Sequence, residues 1–248
     1  MNSARKAPAL PRLGVLASGS GTILTAILEA GLPVSFMAAD RPCRAVELAE
    51  AAGVPSVVVE RESYRADFDR AAYTTRLLAA LQPHHLDVVA MAGFGTVLDG
   101  SFFRSYPNRV LNTHPALLPA FRGWHAVADA LAAGVKVTGC TVHLATEEVD
   151  DGPILAQEAV PVLPGDTVGT LHERIKTVER RLYPSTIGEF LDRLSDGGSP
   201  AGVAGGGVGL SAELGWSAEA GWSAELGWSA EVGWSGGLFG GMGEGVSR

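Results

Sequence analysis

"LGVLASGSGTILTAILEAG", residues 13–31, places an apolar run, a glycine loop and a helical pattern in direct succession. Residues 13–17 read as a short buried strand. In "SGSGT" (18–22), Gly19 and Gly21 let the backbone turn tightly and approach a ligand. Residues 23–31 carry helical spacing and stop at a glycine. The spacing makes Thr22 the expected N-cap. The free N–H groups of such a helix start bind anions, phosphate above all. The loop is neither a G-x-x-x-x-G-K phosphate loop nor a full dinucleotide fingerprint. Taken alone, it reads equally as a plain tight turn or as a phosphate site.

The same alternation continues along the chain. Strands are expected at 33–40, 55–60, 86–94, 108–114, 136–146 and 153–162, and helices at 44–53, 66–82 and 125–134. Residues 167–194 read as one long helix, or as two meeting near Pro184. "LDVVAMAGF" (86–94) is almost wholly apolar, as a strand covered on both faces must be. Strands alternating with helices build βαβ units. The expected fold is α/β: a mostly parallel twisted sheet with helices on both faces and a Rossmann-like N-terminal half. It forms a single domain, 13–194, behind a short extension, 1–12. Ligands of such sheets bind beyond the carboxyl ends of the strands.

After Leu194 the composition changes. A Gly-rich linker runs into "GWSAEA GWSAEL GWSAEV GWS", a hexapeptide repeat holding Trp216, Trp222, Trp228 and Trp234. Six is not a helical period, so 195–248 reads as a disordered, low-complexity tail. A tryptophan-bearing docking tail is the other reading.

The net charge of −8 argues against a nucleic-acid binder, which carries a basic face. It leaves room for a small anion in a local pocket. Two cysteines, Cys43 and Cys140, give no disulfide framework or metal spacing and suit a reducing cytoplasm. No apolar run is long enough to span a membrane. "MNSARKAPALPR" (1–12) is followed by no long apolar segment, so no signal peptide is expected.

The chemistry concentrates in "NTHPALLP" (112–119). Residues i and i+2 of a strand share a face, so Asn112 and His114 look the same way. Pro115 ends the strand. "HLATEEVDDGPI" (143–154) then adds His143, Asp150 and Asp151 before a Gly-Pro turn. A carboxylate beside His114 would hold its tautomer and favour its charged form. Asn112 could donate to an oxyanion. In an extended stretch Asp151 would face away from Asp150. No G-x-S-x-G elbow is present, so the substrate itself would supply the nucleophile of an acyl transfer.

At these residues the sequence resembles the formyltetrahydrofolate-dependent formyltransferases, the glycinamide ribonucleotide enzymes in particular. Asn-x-His-Pro…Leu-Leu-Pro, His…Asp-x-Gly-Pro and the "SGSGT" loop occur in that family's order, over roughly residues 13–190. The resemblance implies formyl transfer from 10-formyltetrahydrofolate to the amine of glycinamide ribonucleotide, in purine biosynthesis, without a metal. It implies catalytic roles for Asn112, His114 and Asp150. It implies that the backbone of Gly21, Thr22 and Ile23 holds the substrate phosphate and that Lys176 and Glu179 contact the same substrate. Arg65, Gly95, Thr96, Val97, Leu98 and Asn112 would line the folate pocket. It implies small-molecule partners, no membrane or nucleic acid, and a monomer or homodimer.

Three positions depart from the family pattern. Thr22-Ile23 replaces Ser-Asn, which keeps the backbone N–H groups and removes an amide side chain. Thr96 stands where Arg usually grips the folate glutamate tail. Arg122 stands where Pro is usual; an Arg-Gly there is similar to the tRNA-directed branch. The competing readings are therefore a formyltransferase for another amine, an amino sugar or a tRNA-borne group, and a non-catalytic Rossmann-like binding module.

Overall fold

A computed structural model describes residues 11–65 and 67–199. Most of the expected N-terminal extension, and the tail from Pro200 onward, lie outside the described residues. The elements run β1 (Leu13–Ala17), α1 (Thr22–Glu29), β2 (Val34–Ala39), α2 (Arg44–Ala51), β3 (Ser56–Val58), α3 (Arg70–Leu81), β4 (Val88–Met91), α4 (Gly100–Ser105), β5 (Val110–His114), α5 (Ala126–Ala132), β6 (Val137–Leu144), β7 (Ile154–Pro161) and α6 (Val168–Ser195).

The strands form one sheet in the order β3-β2-β1-β4-β5-β6-β7. β1 to β5 pair in parallel. β6 and β7 add as antiparallel strands. The apolar run of the central strands follows from burial on both faces. In β1, Leu13, Val15 and Ala17 join the cluster under α1, α2 and α6, whereas Leu16 joins the one under α3 and α4. In β4, Val88 and Ala90 face the first cluster and Val89 and Met91 the second. A third, smaller cluster seats α5 and α6 on β6 and β7 through Val127, Cys140, Val160, Leu171 and Ile175. The buried Tyr183 hydroxyl of α6 donates to the Leu111 carbonyl of β5 at 2.8 Å, fixing that helix to the strand beneath it.

Several boundaries differ from the sequence expectation for local reasons. Gly21, not Thr22, is the cap of α1: it adopts φ 72°, and no side chain caps the helix. A Cβ at Gly21 would lie 2.7 Å from Leu48 and 3.0 Å from the Ala45 backbone, so both conformation and space require glycine. α3 begins at Arg70 rather than 66, because the Asp69 carboxylate accepts from the Ala72 N–H. α4 was not expected; six residues are too few to show a period, and its signal is the Asp99 cap. α6 is a single helix with Pro184 buried inside it.

The chain leaves β1 toward β2 and β3, then returns to β4 on the other side of β1. This reversal opens a crevice beyond the carboxyl ends of β1 and β4, where a sheet of this kind binds ligands.

Candidate active site

A cavity of about 480 Å³ occupies that crevice. One end is the β1–α1 turn, Gly19 to Ile23; the floor is Asn112, Thr113, His114 and Asp150; the far wall is α6, through His172, Lys176 and Glu179. Residues 172, 176 and 179 recur at helical spacing and therefore share one face. At the turn, the backbone N–H groups that open α1 have no side-chain cap, which leaves them available to an anion.

Asn112 and His114 point to one face of β5, as their spacing requires. Asn112 lies opposite His143 on β6, and His114 opposite Thr141. Thr141 anchors the turn that follows: its hydroxyl donates to the Ala116 carbonyl at 2.6 Å and accepts from the Leu118 N–H at 3.0 Å. Gln157 donates to the Leu118 carbonyl at 2.8 Å.

Asp150 reaches this strand pair from the loop after β6. Its backbone is left-handed, φ 54°, a conformation aspartate tolerates better than most residues. A Cβ on Gly152 would run into the Leu144 carbonyl, which fixes glycine in the turn. Oδ2 of Asp150 lies 3.2 Å from His114 Nδ1 and accepts from the Gly123 N–H at 2.8 Å. Oδ1 lies 3.6 Å from His143 Nε2. Asp151 turns away, as expected, but through this left-handed corner rather than an extended stretch; it pairs with Arg122 at 2.5 Å on the surface.

Both ring nitrogens of His114 face acceptors: the Asp150 carboxylate and, at 2.8 Å from Nε2, the Phe121 carbonyl. His143 is different. Its Nδ1 faces the Leu144 carbonyl at 3.0 Å, which can only accept. Nδ1 therefore carries the proton, and Nε2 accepts from Asn112 Nδ2 at 3.1 Å. This bond sets which way the Asn112 amide points.

Burial works against the Asp150 carboxylate, but His143, the Gly123 N–H and the His114 ring together hold its carboxyl below the ordinary value. Burial lifts the Glu179 carboxyl above its ordinary value, against a hydrogen bond from Thr113 and the charges of Lys176 and Arg180. Burial and the Lys176 charge push His172 below the usual imidazole value.

A narrower slot of about 120 Å³ adjoins the cavity and shares Phe94, Asn112 and Trp124 with it. Gly95, Thr96, Val97 and Leu98 line it, with Met91, Phe94 and Phe103 as apolar walls. The Thr96 hydroxyl donates to Asp40 at 2.7 Å.

The structure thus gathers Gly21, Thr22, Ile23, Asn112, His114, Asp150, Lys176 and Glu179 around one cavity and Gly95 to Leu98 around the adjoining slot. Arg65 lines neither; it is exposed on the loop before α3. Sequence reasoning left His172 and Trp124 unassigned and noted His143 without a role. The helical spacing 172-176-179 was a usable signal for His172; nothing local marked Trp124. Among the described residues, no cluster of His, Cys, Asp and Glu is placed to hold a metal ion, and no helix is long and apolar enough to cross a membrane.

Comparison with known proteins adds an independent observation. The formyl transferase family pattern matches residues 12–187. A phosphoribosylglycinamide formyltransferase of Mycobacterium tuberculosis is 49% identical over 189 residues, covering 74% of this chain and 86% of that protein. Among solved structures, glycinamide ribonucleotide transformylase 1 from Symbiobacterium toebii superposes with a TM-score of 0.68 at 42% identity, over 76% of this chain and 89% of that one. The corresponding protein from Geobacillus kaustophilus gives 0.68 at 37% identity, over 74% and 100%.

Proposed function

The chain belongs to the formyl transferase family, and from that premise we propose that it transfers a formyl group from 10-formyltetrahydrofolate to the amine of glycinamide ribonucleotide, a step of purine biosynthesis in the cytoplasm. The observation that carries the reading is the single cavity that brings Asn112, His114 and Asp150 together between an uncapped helix start and the Lys176–Glu179 wall.

The acceptor fits that cavity end to end. Its phosphate suits the N–H groups at Gly21 to Ile23, with Lys176 as counter-charge. Glu179 faces its ribosyl-glycinamide portion, and the amine then lies over Asn112 and His114. The adjoining slot is narrow, with Met91, Phe94 and Phe103 as apolar walls, which suits a flat heteroaromatic ring. When bound there, 10-formyltetrahydrofolate supplies the formyl carbon.

The residues then divide the work. Asn112 has one amide N–H committed to His143 and the second left for the formyl oxygen, where negative charge develops during attack. His114, held between two acceptors, stabilises the same charge once its Nε2–H passes from the Phe121 carbonyl to the substrate. Asp150 orients the ring and helps carry the proton lost by the attacking amine to N10 of the folate, which leaves as the N10–formyl bond breaks. The nucleophile comes from the acceptor, so the site requires no serine or cysteine.

The reading that favours another amine rests on Arg122 and Thr96. Arg122 is paired with Asp151 and the Thr96 hydroxyl with Asp40, which accounts for both within the chain. Mixing the purified protein with glycinamide ribonucleotide and 10-formyltetrahydrofolate tests the proposal, with an amino sugar and an aminoacyl-tRNA as alternative acceptors. Formyl loss with glycinamide ribonucleotide is the expected result. Transfer only to another acceptor, or to none, overturns it.

A further inference from the structure

Asp40 follows the last residue of β2 and is fully buried. It lines neither the cavity nor the slot. Its carboxylate accepts from the Thr96 hydroxyl at 2.7 Å and from Arg41 Nε and Nη2 at 3.0 and 3.2 Å. The Ser18 hydroxyl adds a further hydrogen bond to it. Ser18 Oγ in turn accepts from the Gly95 N–H at 2.7 Å.

These partners come from three neighbouring strand ends. β2, β1 and β4 are consecutive in the sheet. Asp40 follows β2, Ser18 follows β1, and Gly95 and Thr96 lie in the loop after β4. One carboxylate therefore reaches across the end of β1 to the loop beyond β4, along the crevice. Ser18 opens the turn whose residues Gly19 to Ile23 form one end of the cavity. Gly95 and Thr96 line the slot. The far side of the same turn rests on α2, where the Gly19 carbonyl accepts from the Ala45 N–H at 3.2 Å.

A buried ion pair is weak evidence for stability, because apolar residues of similar volume often do as well. A fully partnered one holds its donors in a single arrangement. Here the donors belong to two binding sites whose ligands must react with each other. Attack requires the reacting atoms to lie roughly 3–3.5 Å apart, and a misplacement of about 1 Å costs about 10²-fold. We propose that Asp40 is a positioning residue that sets the separation of the acceptor and donor sites, through Ser18 on one side and Thr96 on the other. The proposal rests on the two-substrate reading above. Asp40 touches neither ligand. Without it, each site still takes its own ligand, and the alignment of one ligand against the other is lost.

The test measures calorimetric affinities for three ligands: glycinamide ribonucleotide, a non-reactive dideazafolate, and a covalent adduct joining the two where the formyl group would pass between them. The variants are Asp40→Asn, Ser18→Ala, Thr96→Val and Thr96→Ser. Asp40→Asn leaves Arg41 without its counter-charge and can destabilise the fold. Thr96→Val removes one hydroxyl and keeps the side-chain shape, so it is the decisive variant. In Thr96→Val and Ser18→Ala, the Kd of each separate ligand should stay within about threefold of the parent. The Kd of the adduct should rise roughly tenfold or more, and kcat should fall by roughly ten- to hundredfold with both KM values little changed. Thr96→Ser, which keeps the hydroxyl, should restore adduct affinity and kcat. A lower urea midpoint with adduct affinity and kcat unchanged marks a merely structural role and overturns the proposal. So does a separate-ligand Kd that rises as much as that of the adduct, or a loss that Thr96→Ser does not recover. The expected adduct effect supports the positioning role even where formyl transfer to glycinamide ribonucleotide fails, which would overturn the reaction alone. A parent that binds neither separate ligand overturns the two-substrate reading and the positioning role with it.

Discussion

Asn112 donates its amide N–H to Nε2 of His143, its direct partner across the antiparallel β5–β6 pair, at 3.1 Å. The other ring nitrogen of His143 is tied to the Leu144 carbonyl at 3.0 Å, which fixes the ring so that Nε2 aims the amide. His143 is a positioning residue. His143→Ala should lower kcat with little change in either KM, by less than the roughly 10²–10³-fold that follows removal of an oxyanion donor itself. His143→Gln, which keeps an acceptor, should recover part of the loss. Steady-state kinetics of both variants decide it; an unaltered kcat in His143→Ala refutes the role.

His114→Ala should cost roughly 10²–10³-fold in kcat, the usual loss for a group that stabilises the developing oxyanion. Circular dichroism should show the fold retained, since the strand and its Asn112–His143 pair remain. Activity close to that of the parent sinks the assignment.

Asp150 and Asp151 are adjacent in sequence and unlike in function. Asp150→Asn removes the charge beside His114 and should lower kcat across the working pH range. Asp151→Asn breaks only the exposed pair with Arg122 and should leave kcat almost unchanged. The Asp150 carboxyl lies below its ordinary value, so its protonation cannot produce an acidic limb near neutrality; any limb there belongs to another group. An effect of Asp151→Asn equal to that of Asp150→Asn would reverse the assignment.

Asp40 predicts a pH dependence of stability. Burial opposes its charge, but hydrogen bonds from Arg41, Thr96 and Ser18 outweigh burial and lower its carboxyl from the ordinary 3.8. A carboxyl lowered by folding stabilises the native state above its unfolded value and loses that contribution as pH falls through the folded value. Urea midpoints should therefore drop between pH 7 and pH 3 in the parent and drop less in Asp40→Asn, which should also be less stable at pH 7. Parallel curves for the two proteins count against it.

Both cavities are built by residues before Pro200. Deleting 200–248 should leave kcat and both KM values unchanged. A large fall in kcat would assign the repeat tail to the enzyme.

Periodicity made the strand–helix alternation legible, and spacing alone placed Asn112 with His114. Other features carry no period. α4 is too short, and the antiparallel pairing of β6 and β7 follows from chain return rather than composition. The left-handed corners at Phe121 and Asp150 could not be read from residue type, yet they bring the Phe121 carbonyl and the Asp150 carboxylate to His114. Arg65 was legible as a cation; its position outside the slot, and the pairing of Arg41 with Asp40, depend on packing between distant loops.

Tyr183 ties α6 to β5, and α6 is the last element of the domain to leave the ribosome. A nascent chain that ends at β7 already carries Asn112, His114 and Asp150, but lacks the wall that faces the acceptor. It also lacks Tyr183, Ile187, Phe190 and Leu191, which close the larger core cluster. Completion of the core and completion of the acceptor site are thus one event in synthesis. A nonsense mutation upstream of Val168 would yield an inactive fragment with an open core, suited to proteolysis rather than to unproductive capture of either substrate.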